Sequence, residues 1–165
     1  MKFNIVLVEP EIPQNTGNIS RTCAATNSSL YLVRPLGFEI TDKHLKRAGL
    51  DYWQYLDLHY VDSLEELMDK YFTGDNFHFM STKASKIYSE ATFKDGDFLV
   101  FGKESHGLPE PLLKKYYDNT LRIPMWGELR SLNLSNSVAI TLYEALRQNG
   151  FPELNTSGHL TGRKD

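Results

Sequence analysis

The apolar positions of this 165-residue chain fall into two alternating patterns. Continuous apolar runs of four to six residues recur at Phe3–Val8, Leu30–Val33, Phe77–Met80 and Phe98–Phe101. Such runs suit strands covered on both faces. Two shorter segments, Leu58–Val61 and Leu121–Ile123, read the same way. Between them lie segments with helical spacing. Asn18–Thr26 reads as a helix. Thr41–Gly49 reads as another, with Thr41 or Asp42 as its cap and Gly49 after its end. Ser63–Phe72 is amphipathic: Ser63 caps it, Glu66 follows three residues on, and Leu64, Leu67, Met68 and Tyr71 share a face. Pro109–Tyr117 opens on a helix-compatible proline. Ser135–Gln148 places Val138, Leu142, Ala145 and Leu146 at core spacing and stops at Gly150. Strands spaced by helices predict an α/β fold, a single domain with a mostly parallel sheet and helices on both faces. In such sheets ligands sit outside the carboxyl ends of the strands.

Composition narrows the class. The chain is 41% hydrophobic and 24% charged, as expected of a globular protein. Its single cysteine, Cys23, excludes an internal disulfide framework and a multi-cysteine zinc site, and fits a reducing, cytoplasmic setting. No apolar run approaches the ~20 residues that span a bilayer, and the N-terminal run is too short for a signal peptide. The five histidines show no metal-ligand spacing, and no Ser-His-Asp order is readable. No metal and no membrane partner are therefore expected. Net charge is −3, so any attraction for nucleic acid has to come from a local field or from oligomerisation. Residues 1–152 read as the folded domain and 153–165 as a flexible tail without apolar periodicity.

Four segments carry candidate chemistry. Arg130-Ser131-Leu132-Asn133-Leu134-Ser135-Asn136-Ser137 is too rich in small polar groups for plain helix and reads as a shaped loop capping the last helix. The strand Phe98–Phe101 runs into Gly102-Lys103-Glu104-Ser105-His106-Gly107-Leu108-Pro109, whose glycines permit either close approach to a ligand or an ordinary strand–helix turn. It is neither a Walker motif nor a dinucleotide fingerprint. The first strand leads into a proline-stiffened loop, tightened by Asn15-Thr16-Gly17 before a helix on which Asn18 and Arg21 share a face. An arginine at a helix start is suited to a phosphate, or is simply a surface residue. Lys43, His44, Lys46 and Arg47 lie on one predicted helix beside Tyr52, Trp53 and Tyr55. That combination suits an RNA backbone with stacked bases, or a solvated helix face.

Together these segments resemble a known family. Asn15-Thr16-Gly17-Asn18-Ile19-x-Arg21, Leu99-Val100-Phe101-Gly102-x-Glu104-x-x-Gly107-Leu108-Pro109, and Ile123-Pro124-Met125 with Arg130-Ser131-Leu132-Asn133-Leu134-Ser135 are similar to the three signature motifs of the SPOUT RNA 2'-O-methyltransferases. The likeness is closest to the small single-domain TrmL/YibK group, which methylates the wobble cytidine or uridine of tRNA, and it runs from about Lys2 to Pro152.

The resemblance implies a C-terminal deep trefoil knot, which base rates alone would never suggest. It implies S-adenosylmethionine as cofactor. Gly102, Ile123 and Ser131 are expected contacts, Met80 lines the adenine pocket, and Glu104, Gly107, Met125, Leu132 and Asn136 complete the set. It assigns the catalytic role to Arg21, here read as gripping a phosphate and lowering the hydroxyl pKa, with Asn18 fixing it. Arg130 and Tyr143 are further candidates near the methyl group or the RNA. Lys43, Lys46, Arg47 and Lys83 are the candidate RNA contacts. It further implies a homodimer with the pocket at the subunit interface, and a compact substrate such as a tRNA anticodon stem-loop. Two other readings stay open: a 2'-O-methyltransferase for another tRNA or rRNA position, and a non-catalytic cofactor- or RNA-binding module.

Overall fold

The structure is a computed structural model that describes residues 1–39 and 52–162. The predicted helix Thr41–Gly49, with Lys43, His44, Lys46 and Arg47, lies outside the described residues. The apolar runs become the centre of a six-stranded sheet. In chain order the main elements are β1 (Asn4–Val8), α1 (Pro13–Ala25), β2 (Ser29–Val33), β3 (Asp57–Val61), α2 (Leu64–Tyr71), β4 (Phe77–Met80), β5 (Phe98–Phe101), α3 (Glu110–Lys115), β6 (Thr120–Leu121) and α4 (Leu134–Gln148). Every strand pair is parallel, in the order β3-β2-β1-β5-β4-β6. β1, β2 and β3 are laid down outward from the centre, and β5, β4 and β6 fill the other side. The order therefore reverses between β1 and β5, and the crevice outside their carboxyl ends is where such sheets bind ligands.

The period of two in the strands divides the core into two layers. Ile5, Leu7, Leu30, Leu32, Leu99 and Phe101 face Ile19 and Cys23 of α1 and Val138, Leu142 and Ala145 of α4. Val6, Val33, Phe77, Phe79, Phe98 and Val100 face Leu64, Leu67 and Met68 of α2 and Leu113 of α3. Burial pushes the Cys23 thiol's pKa up, so this cysteine behaves as a small core hydrophobe.

Helix boundaries depart from the sequence reading for local reasons. α1 begins at Pro13, so Asn15, Thr16 and Gly17 are buried helical residues rather than a loop. Proline is compatible with the first helical position, and side chains from elsewhere take up the preceding backbone N–H groups. Ser63 caps α2 as expected, its Oγ accepting from Glu66 N at 3.1 Å, but the Glu66 carboxylate accepts from Asp62 N (3.4 Å) instead of from the cap residue. α3 stops at Lys115, and Tyr117–Asn119 form a 3₁₀ turn. β6 ends at Leu121 because the next residue pairs elsewhere: Arg122 N donates to Lys86 O and Tyr88 N donates to Arg122 O, both at 2.9 Å.

The 81–97 connection between β4 and β5 is thus tied to the chain just beyond β6. It is also tied to the end of α4, where Gln148 Nε2 donates to Ala91 O (3.0 Å) and Asn149 Nδ2 donates to Phe93 O (3.0 Å). Residues 155–162 are exposed beyond the last core-packed residue, Leu154. No helix among the described residues is long and apolar enough to cross a membrane.

Candidate active site

The loops that leave β1, β4, β5 and β6 at their carboxyl ends enclose a cleft of about 460 Å³. That is a volume suited to a small-molecule ligand. Each loop is shaped by identifiable backbone requirements. At the end of β1, Glu9 adopts a left-handed backbone (φ 50°) and turns the chain out of the sheet. After β5, Gly102 lies so close to its own loop that a Cβ there would stand 2.1 Å from the Gly107 carbonyl carbon and 2.2 Å from Leu108 N. Gly107 holds φ +68°. The space that glycine leaves at position 102 is therefore filled by the returning loop itself. Gly107 N closes that loop by donating to Lys103 O at 2.8 Å.

The loops after β1 and β5 are latched by reciprocal polar contacts. Glu104 accepts from Glu11 N (2.8 Å), Ile12 N (3.1 Å) and Asn15 Nδ2 (3.2 Å). Glu11 in turn accepts from Ser105 Oγ (2.8 Å) and Ser105 N (2.9 Å), and Lys103 Nζ pairs with Glu9 Oε2 at 2.8 Å. The Ser105 hydroxyl, and after it the Ser105 backbone N–H, lower the Glu11 pKa. Glu9 raises that of Lys103 by hydrogen bond and by charge. The third segment joins through Asn133, whose Nδ2 donates to Asn15 Oδ1 at 3.0 Å. Asn133 Oδ1 meanwhile caps α4, accepting from Ser135 N at 2.9 Å and Asn136 N at 3.3 Å. Glu104, Asn15 and Asn133 thus form one hydrogen-bonded chain across the three sequence motifs.

Most of the sequence-derived cofactor candidates meet in this cleft: Met80, Gly102, Glu104, Gly107, Ile123, Met125, Ser131 and Leu132 all line it. Glu104 lines it with both carboxylate oxygens committed to the first loop, which makes it a positioning group. Asn136 does not line the cleft; its backbone N–H belongs to the α4 cap. Arg130 and Lys83 line the cleft, with Lys83 Nζ ion-paired to Glu110. Asn18, Arg21 and Tyr143 stand outside its lining. The Arg21 guanidinium is exposed and lies 5.9 Å from the centre of the Tyr52 ring. Among the described residues no hydrogen bond joins it to the exposed Asn18, so the expected fixing of Arg21 by Asn18 is not seen within this subunit.

Sequence reasoning passed over Asn15 and Asn133 as ligand-shaping residues, although both stood inside the quoted motifs. It also passed over Leu134 and Ser137, within or just beyond the third motif, and Ser81 and Thr82, which line the cleft without any motif of their own. No group of three or more His, Cys, Asp or Glu among the described residues is arranged to hold a metal ion.

Comparisons with known proteins agree with this geometry. The model of the SpoU rRNA Methylase family matches residues 2–143. A tRNA (cytidine(34)-2'-O)-methyltransferase of Saccharophagus degradans is 49% identical over 152 residues, covering 90% of this chain and 97% of the relative. A solved structure described as giving insights into the 2-OH methylation of C/U34 on tRNA superimposes with a TM-score of 0.84 at 46% identity, over 90% of this chain and 97% of that one. The SpoU methyltransferase AviRb of Streptomyces viridochromogenes, in complex with AdoMet, gives a TM-score of 0.77 at 25% identity, over 88% of this chain and 57% of that one. With the match covering most of its length and the motif segments meeting in one cleft, the chain belongs to the SpoU rRNA Methylase family.

Proposed function

We propose that this protein is an S-adenosylmethionine-dependent tRNA methyltransferase that modifies the ribose 2'-hydroxyl of nucleotide 34, a cytidine or modified uridine, in the anticodon loop. The observation that carries this reading is the convergence of the three motif segments on one cleft through the Glu104–Asn15–Asn133 chain. The names of the relatives support the choice of nucleotide. A tRNA substrate in turn supports a cytoplasmic location. Family membership carries with it the C-terminal trefoil knot, and the ties of the 81–97 connection to Arg122 and to the end of α4 suit that threading.

The lining fits the cofactor. Met80, Ile123, Leu132 and Leu134 offer apolar walls to an adenine, while backbone groups around Gly102 and Ser131 and the hydroxyl of Ser137 offer partners for its polar parts. Bound there, S-adenosylmethionine supplies a methyl group activated on a sulfonium for in-line displacement by a ribose oxygen. The protein's own task is positioning. The Glu104 carboxylate fixes the loop before α1, and Asn133 fixes the start of α4, so both cleft walls hold still relative to each other. Arg21 serves the acceptor side: its forked cation grips a phosphate and lowers the hydroxyl pKa by charge rather than acting as a literal base. The family resemblance implies a homodimer with the pocket at the subunit interface, and the position of Arg21 outside its own subunit's cleft lining suits a site that two subunits complete together. Arg130 and Lys83 supply positive charge at the mouth for the anticodon stem-loop.

Incubation with labelled methyl donor and total tRNA tests this reading. Label in the ribose of nucleotide 34 is the expected result. Label at another nucleotide overturns the assignment of position, and donor binding without transfer overturns the assignment of catalysis.

A further inference from the structure

The loop between β6 and α4 carries a feature that the cofactor cleft does not use. Trp126 is 91% exposed, and Leu129 beside it is 65% exposed. Their neighbours Met125 and Arg130 line the cleft, but neither Trp126 nor Leu129 does. Gly127, at φ +64°, turns the loop immediately after the tryptophan. A large ring left in water forgoes one of the strongest apolar gains a side chain can make. Trp126 makes no ring contact or hydrogen bond among the described residues. The segment that carries it holds two arginines, Arg122 and Arg130, and one carboxylate, Glu128. Arg122 and Arg130 flank it in the loop, and the backbone bond from Arg122 N to Lys86 O ties the Lys83–Lys86 segment alongside.

We propose that Trp126 is a stacking platform for an unpaired nucleobase of the RNA substrate, next to the nucleotide whose ribose enters the cleft. An exposed indole in a segment with an arginine on either side, next to the cleft-lining Met125 and Arg130, matches how single-stranded RNA is held: aromatic faces take bases and cations take phosphates. With a net charge of −3 the protein as a whole has no general pull on RNA, so local features such as this arginine-bearing aromatic loop are suited to seat the acceptor strand. Stacking tolerates any base, so Trp126 contributes affinity and register while the cleft selects the ribose.

This inference rests on the tRNA reading above, and its test separates the two. Replacing Trp53 by Phe leaves Trp126 as the sole tryptophan. In that background, adding tRNA is expected to quench the remaining emission at saturating RNA, whether or not methyl transfer occurs. Trp126→Ala is expected to weaken tRNA binding about 5- to 150-fold, the equivalent of a ~1–3 kcal/mol stack, with kcat and affinity for S-adenosylmethionine retained. Trp126→Phe is expected to keep most of the binding. No quench, or an unchanged KM for tRNA in Trp126→Ala, overturns the proposal. So does a shift of Trp126→Ala from dimer to monomer on sizing, which would make the indole a contact between two copies of this chain. Quenching by tRNA without any methyl transfer by the unaltered protein would uphold the stacking and overturn the enzymatic reading.

Discussion

Asn133 Nδ2 donates to Asn15 Oδ1 at 3.0 Å, joining two residues 118 positions apart in sequence. The same Asn133 caps α4 through its oxygen. One side chain therefore both starts the last helix and fastens it to the first. Asn133→Ala loses both functions and is expected to lower stability by about 1–2 kcal/mol in urea unfolding, the usual range for a lost cap plus a hydrogen bond. Asn133→Asp keeps the capping oxygen and loses the donor, so it is expected to retain most of the stability while binding S-adenosylmethionine more weakly by calorimetry. Equal binding by Asn133→Asp and the unaltered protein would show that the Asn15 contact does not shape the cleft.

Glu104 is predicted to act by holding the first loop rather than by touching the methyl donor. Glu104→Gln places an amide where two backbone N–H groups, of Glu11 and Ile12, now find carboxylate oxygens. One of those donors loses its acceptor, at a cost of about 1–3 kcal/mol. Thermal unfolding is expected at lower temperature, together with a drop in turnover. A fall in turnover with stability unchanged would point instead to a direct role for the carboxylate.

Gly102→Ala is expected to be far more damaging than Gly107→Ala. At position 102 the new methyl meets backbone atoms of Gly107 and Leu108 at just over 2 Å, and the loop has to reopen. At position 107 there is open space, and the cost is the ~1–2 kcal/mol of a left-handed residue. Measured cofactor affinity should vanish for the first and survive, weakened, for the second.

Several carboxyls shape the acid limb of the stability curve, Asp57 at the sheet edge and Glu11 at the site among them. The Lys2 ammonium, with help from the Ser29 hydroxyl and His59, holds the Asp57 carboxyl at about 2, and Ser105 holds Glu11 below the usual range. A carboxyl with a folded-state pKa below its ordinary value near ~4 adds stability above that value, and the contribution fades as pH falls toward the folded pKa. For Asp57 the window runs from about pH 4 down to about pH 2. Its side chain is 41% exposed, so solvent screening keeps the contribution below about 1 kcal/mol. Asp57→Asn is expected to flatten stability against pH within that window and to leave it unaltered at pH 7 apart from a constant offset.

The pattern of the chain foretold the sheet better than the ends of the helices. Runs such as Phe98–Phe101 are strands because both faces are covered, a property periodicity reports directly. The early start of α1 was hidden because Asn15, Thr16 and Gly17 look like a turn, and only α4 packing and the Glu104 carboxylate, 89 residues beyond Asn15, make them helical. The glycines after β5 permitted either close approach to a ligand or an ordinary turn; at position 102 the space is filled by the returning loop, while the residue still lines the cleft. The motif segments could be matched to a family from sequence, but the contact that binds them, Asn133 to Asn15, depends on the path of α4 across the sheet and has no local signature. The placement of Arg21 outside the cleft is likewise a property of the folded subunit that helical spacing could not reveal.

Arg21→Lys keeps a positive charge and loses the planar fork. It is expected to lower turnover more than tenfold, at least ~1.4 kcal/mol in the barrier, while cofactor binding by calorimetry is unchanged. Full activity in this variant would remove the forked guanidinium from the mechanism.

The most direct test of the account is a map of ribose 2'-O-methylation in tRNA from cells that carry this gene and cells that lack it. The account predicts that methylation at nucleotide 34 of one or more tRNAs disappears with the gene and returns with an intact copy, but not with the Arg21→Lys variant. An identical methylation profile at nucleotide 34 in both cell lines, with a mark lost elsewhere or nowhere, would contradict it.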